Sequence, residues 1–242
     1  PSLPPRKPLL VCQTARVTGP AGEDIFFDEY GRVRVEFPWD RAELGSEKSS
    51  CWIRVASSWA GEGFGAVTIP RIGMEVVVTF QDGDPDKPLI TGCVPNKVTP
   101  VAHQLPENKT RTVLRSQISP RNGGYNELSI EDRAGREKIY LRAERDIEQL
   151  ILNDSRSVIG HDRFEQTGND STTLIEGKAL RTHQGVRSTV INADDLLTVS
   201  GTSSQSVGAL VIQAGEQAHV SASNVVIDAG MSLTLTAGGH HI

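Results

Sequence analysis

The 242-residue chain carries a formal charge of −5, with 37% hydrophobic and only 5% aromatic residues. The acidic balance argues against broad binding to a phosphate backbone, and no apolar run approaches the ~18 residues of a membrane-spanning helix. Few large aromatics among recurrent Val, Ile and Leu suit a thin core, or one shared between chains.

Residues 1–8 read as an N-terminal tail, and "PSLPPRKPLLV" lacks the apolar centre of a secretory signal. Residues 9–97 read as a small barrel, with five strand-like segments: "LLVCQTARV", "GRVRVEF", "SCWIRVAS", "MEVVVTFQ" and "KPLITGCV". Strands of five to nine residues joined by irregular Gly/Pro/Asp loops have the count of an OB-type barrel. Trp39, Trp52 and Trp59 fall here and are expected in its core or against neighbouring barrels. Cys12, Cys51 and Cys93, with no CxxC, are expected to be free and mostly buried. Residues 98–126 are polar, carry Pro and Gly without a sustained period, and read as a surface connector.

Residues 127–242 are different in kind. Gly160, Gly168, Gly177, Gly185, Gly201, Gly208, Gly215, Gly230 and Gly238 recur about every 7.8 residues, with the skipped places near Ala193 and Ser223. Each unit has room for one short strand and a bend. Leu210 with Ile212, Val225 with Ile227, and Leu233 with Leu235 stand five and three places before their glycines, as paired inward aliphatics. Leu197 and Val199 are shifted by one relative to Gly201. A unit this short makes one side of a narrow prism, since eight residues extend about 26 Å. Two aliphatics per strand cannot fill a core alone, and bare strand edges invite mispairing. Three identical chains around one axis would pair every edge and bring the aliphatics together. The expected fold is therefore all-β, an OB-type barrel followed by an intertwined trimeric, triple-stranded β-helix.

The strings "GRVRVEFPWDR", "SCWIRVASSWAGEGFGAVTIPRIGMEVVVTFQDGDPDKPLITGCVPN" and "GGYNELSIEDRAGREKIYLRAERDI", followed by the octads, closely resemble VgrG proteins. These resemble phage tail spikes and tip the type VI secretion apparatus. The resemblance implies a homotrimeric puncturing spike that is assembled in the bacterial cytoplasm, exported, and transiently in contact with a target-cell membrane. It further implies a tube protein below, a PAAR-type cap at the C-terminal tip, and toxic effectors as cargo. VgrG proteins usually carry N-terminal hub domains and a longer needle, so the chain reads as a C-terminal fragment. The phage relative's lysozyme-like domain is absent, and its activity is not carried over.

Sharper sites are weighed against this reading. "DGDPD", residues 82–86, lacks the distal acidic ligand of a calcium loop and reads as a turn. Trp39, Trp52, Trp59 and Phe64 with Arg34, Arg41 and Arg54 define the alternative of a glycan- or nucleic-acid-binding OB module. His240 and His241 would place one imidazole per chain on the axis, a candidate metal ring; otherwise no cofactor is expected. His103, His161, His183 and His219 read as singles. No nucleophile elbow, HExxH, P-loop or GxGxxG motif occurs. The expectation is of no enzyme, with a β-helical polysaccharide-active enzyme as the remaining alternative.

Overall fold

The computed structural model describes residues 12–42 and 44–238, with the backbone of 240–241. Among the described residues regular structure is strand throughout, apart from a 3₁₀ turn at Gln81–Gly83. Two units divide the chain after Gly160.

The first unit opens with β1 (Gln13–Thr18), β2 (Arg34–Glu36), β3 (Arg54–Val55), β4 (Glu75–Phe80) and β5 (Pro88–Val94). They form one sheet in the order β2-β1-β4-β5-β3. All neighbours are antiparallel except β3 and β5. Val33 and Ile53 then exchange both backbone hydrogen bonds, at 3.0 and 2.8 Å, and join β2 to β3. That pair closes the sheet into a five-stranded barrel. A bulge helps the curvature: the β4–β5 register shifts between Val77 and Val78, with Val77 opposite Gly92 and Val78 opposite Ile90. An extra residue on one strand bends it and increases twist.

Alternation explains the interior. Ala15, Val17, Val33, Val35, Ile53, Val76, Val78 and Ile90 point inward and are buried. Burial of each aliphatic side chain contributes about 1.5–3 kcal/mol. A five-stranded barrel is narrow, so small aliphatics fill it and the tryptophans do not enter. Trp39 and Trp59 are 65% and 64% exposed within one chain, so of the two places expected for them the barrel core is excluded. The cysteines need a correction: Cys12, Cys51 and Cys93 are free and exposed, outside the eight-residue interior. The five strands fall in the five predicted segments, yet β2 and β3 have only three and two residues. Their remaining length is taken up by irregular loops.

A second sheet follows: β6 (Arg111–Arg115), β7 (Glu127–Glu131) and β8 (Lys138–Arg142), antiparallel in that order. β6 lies inside the stretch that shows no period. The adjoining loop is tied to the barrel by Arg121 Nε to Asp24 Oδ1 at 3.0 Å, and by Arg71 Nη2 donating to the Gln117 carbonyl at 2.6 Å.

Beyond β8 the chain is extended, with sharp bends and no strand pairing as far as Leu235. Bends fall at 144–145, 152–153, 160–161, 168–169, 176–177, 184–185, 192–193, 200–201, 208, 215–216, 223 and 230–231. In the second unit β9 (Thr236–Ala237) pairs with β10 (His240–His241) across Gly238, whose φ is +52°.

Candidate functional site

No catalytic constellation emerges from the described residues; the chemistry of this chain lies in surfaces that ask for partners. The first is the β6–β8 sheet, whose two faces differ sharply. Successive cross-strand rows alternate between polar and apolar: Arg111–Glu131–Lys138, then Thr112–Ile130–Ile139, Val113–Ser129–Tyr140, Leu114–Leu128–Leu141, and Arg115–Glu127–Arg142. Side chains of alternate rows point to opposite faces.

The polar face is internally satisfied. Glu127, 5% exposed, accepts from Arg115 Nε at 2.5 Å, and His103 Nε2 lies 3.3 Å from its other oxygen. The His103 Nδ1 atom faces Arg111 Nη1 at 3.5 Å. Arg115 Nη2 also lies 3.1 Å from Nε2, so both ring nitrogens face guanidinium donors and Nε2 faces a carboxylate as well. Burial pushes the Glu127 carboxyl up, but hydrogen bonds from Arg115, Ser129 and His103 outweigh it and hold the group below the usual carboxylate range. A hydrogen bond from Thr110, opposed by burial and aided by Arg111 and Arg133, depresses Glu131 likewise. The Arg115 and Arg142 guanidiniums both lie over the Tyr125 ring, 4.3 and 4.0 Å from its centre.

The apolar face is bare. Leu114, Leu128, Ile130, Ile139 and Leu141 are all exposed within one chain. In a three-stranded sheet, a polar face packed by its own loop and an aliphatic face open to water are the reverse of what a lone domain needs.

The second surface is the bent, extended chain. Every described residue from 144 to 238 is exposed. Exposure nevertheless separates two sides. Aliphatics one, three or five places before a bend are 42–80% exposed, whereas those two, four or six places before are 78–99% exposed. The less exposed set lies on one side of the extended chain. It includes Leu210, Ile212, Val225, Ile227, Leu233 and Leu235, and also Ile151, Ile159, Ile175, Ile191, Val199 and Val207. The last six, spaced by eight or sixteen, are missed when glycines set the frame. Counting from bends also explains the offset of Leu197 and Val199: their bend is Ser200–Gly201, so both stand at odd offsets like the others. After Gly208 two steps shorten to seven, and each switches the parity of the less exposed set, to even numbers at Leu210 and Ile212 and back to odd at Val225 and Ile227.

Each of the nine glycines sits on a bend or, at Gly238, a turn. From Gly160 to Gly230 none has a left-handed φ, and an added Cβ would meet nothing within 4 Å in the same chain. Bends at Asn192–Ala193 and Ser223 use other residues. Only Gly238, at +52°, occupies a conformation that favours glycine.

The remaining candidates disperse. The Arg34 guanidinium lies 4.6 Å over Trp52, Trp39 stacks on Phe37 at 5.1 Å, and Trp59 meets Phe64 edge-on at 6.0 Å. These are three separate contacts, with Arg54 turned to Gln81 instead, and not one ligand face. "DGDPD" forms the β4–β5 turn, in which Lys87 approaches Asp82 and Asp84 at 3.9 and 4.0 Å. His161 pairs with Asp162 at 2.8 Å. The His240 and His241 side chains lie outside the described residues.

Comparison with known proteins identifies this combination. Residues 27–94 match the type VI secretion system/phage-baseplate injector OB domain, and residues 112–222 match the bacteriophage T4 gp5 C-terminal trimerisation domain. The type VI secretion system spike protein VgrG1a of Pseudomonas aeruginosa is 40% identical over 232 residues, 94% of this chain and 34% of its own length. The chain belongs to the VgrG spike-protein family. Another family member, VgrG4b of the same organism, is 54% identical over 161 residues, 66% of this chain and 20% of its own. The actin cross-linking toxin VgrG1 of Vibrio cholerae is 47% identical over 171 residues, 71% of this chain. The chain thus spans 16–34% of the length of these VgrG relatives. The VgrG assignment makes sense of the closed barrel, and the trimerisation match begins at Thr112, the first residue of the bare apolar face.

Proposed function

We propose that the chain is a homotrimeric, non-enzymatic spike segment of a type VI secretion apparatus. In this reading three copies braid their bent chains into a β-helical needle, and the apolar faces of their β6–β8 sheets pack together where the needle starts. The spike is assembled in the bacterial cytoplasm and rides on the tube protein. Driven outward with a PAAR-type cap and toxic effectors, it breaches the target membrane mechanically. One observation carries the reading: from residue 144 to 238 every described residue is exposed, as far as Leu235 no octad strand pairs within the chain, and the aliphatics on one side are consistently less exposed than those on the other. Unpaired backbone and bare aliphatics of that extent call for partner strands with the same repeat. Identical copies supply them in register.

Multi-angle light scattering of the purified chain tests this directly. The expected mass is three times 26.2 kDa; a monomer overturns the proposal. Its secretory part is tested separately, by following a tagged chain in bacteria with and without a contractile sheath. Export that does not depend on the sheath would remove the apparatus while leaving the trimer.

A further inference from the structure

Cations occur on the less exposed side of the second unit in two places: Arg163, five places before the bend at 168–169, is bonded to Glu165 on the same side, whereas the second group has no carboxylate beside it. Arg181 and His183 stand three and one places before the bend at 184–185, and Arg187 stands five places before the bend at 192–193. All three therefore share the sheltered side with Ile175 before them and Ile191 after them. The contrast in exposure there is clear: Ile191 is 48% exposed against 80% for its neighbour Val190. Between Glu165 and Asp195 no carboxylate occupies that side, since Asp170, Glu176 and Asp194 all fall on even numbers and face the other way.

One chain can tolerate this arrangement, because its arginines reach water. Three chains around an axis cannot do so cheaply. Six guanidiniums and three imidazoles would converge between two aliphatic layers, and a buried cation without a partner is strongly unfavourable. Planar guanidinium forks match the oxygens of a tetrahedral oxyanion and bind them in pairs. Such an ion has a threefold axis along each of its bonds, so it can offer one equivalent oxygen to every chain.

We propose that the trimer holds a phosphate or sulfate ion on its axis, bound by Arg181 and His183 of all three copies, with Arg187 one strand away. The site rests on the trimeric reading and does not exist in one chain. It would act as an internal rivet: the ion neutralises the repulsion and fixes the register of the three strands at this level.

The test uses the full chain, purified and exhaustively dialysed into phosphate- and sulfate-free buffer. Native mass spectrometry and an assay of anions released by acid denaturation should find one oxyanion per three chains. Added inorganic phosphate should raise the melting temperature of stripped trimer, and chloride at equal ionic strength should not. The double variant Arg181→Gln, His183→Gln should lose both the retained ion and the phosphate response; the single variant His183→Asn checks the result should the double variant assemble poorly. A wild-type trimer without oxyanion, or one retaining only chloride, overturns this proposal and leaves the spike reading standing. Light scattering on the same samples separates the two, because a monomeric mass sinks both.

Discussion

Glu127 shows how one residue can hold a sheet face together. Its carboxylate is nearly buried and its strongest partner, Arg115, lies on the neighbouring strand. With a folded-state pKa below the ordinary 4.5, the unfolded chain binds the proton more readily. The group's contribution is therefore complete above about pH 4.5 and is lost as pH falls through the folded value. Thermal melts between pH 6 and pH 3 should show that decline, and Glu127→Gln should flatten it. At neutral pH the same substitution should cost about 2–3 kcal/mol by removing charge-assisted bonds; a stability within 0.5 kcal/mol of the parent would contradict this role. His103 was illegible as part of the cluster, because it sits 24 residues from Glu127 in a stretch with no pattern. Only the folded loop brings the two together.

At the scale of elements, alternation made the five barrel strands readable, since each strand or its adjoining residue places at least one Val or Ile on the buried face, as Val76 and Val78 do in β4. It misled about the tryptophans, whose size argues for a core that this narrow barrel has no room to provide. β6 was missed for a different reason: "RTVLR" alternates arginine with aliphatics, and its apolar side finds no cover within the chain. That side yields a sharp expectation. Leu128→Asp with Leu141→Asp should abolish trimer formation, because it sets carboxylates in an apolar contact. The barrel should stay folded, as judged by near-ultraviolet circular dichroism of its tryptophans. Normal assembly of the double variant would show that this face packs against nothing. The bends give a milder expectation. Gly208 has no left-handed φ and its Cβ would meet open space, so Gly208→Ala should change trimer stability by less than ~1 kcal/mol, the scale of the intrinsic Gly/Ala difference. A loss of several kcal/mol would reveal close approach by another chain.

For the whole molecule, the repeat was legible and its frame was not. Glycine spacing gave the period, yet the bends set the phase, and glycine occupies either the first or the second residue of a bend. The inward assignment of Leu233 and Leu235 is tested by replacing both with Asp, which places six charges on the trimer axis. Assembly should fail or the distal end should fray, seen as lost sheet signal and faster proteolysis there. A variant that assembles and melts like its parent would place these leucines outside. Braiding also has a kinetic signature: no copy can leave without breaking pairs with both others, so apparent melting should depend on scan rate.

The barrel seam carries a consequence of its own. Four of its five strand junctions are laddered, but β2 and β3 meet through one reciprocal pair, Val33 with Ile53. Ser50 adds two bonds to β2, its Oγ accepting from the Val35 N–H and its carbonyl from Arg34 Nη1, both at 3.0 Å, but the seam still lacks a backbone ladder. Hydrogen–deuterium exchange should accordingly release the Val33 and Ile53 amides well before those of Val76 and Val78, and a gate of this kind would let the barrel breathe while its other junctions stay shut.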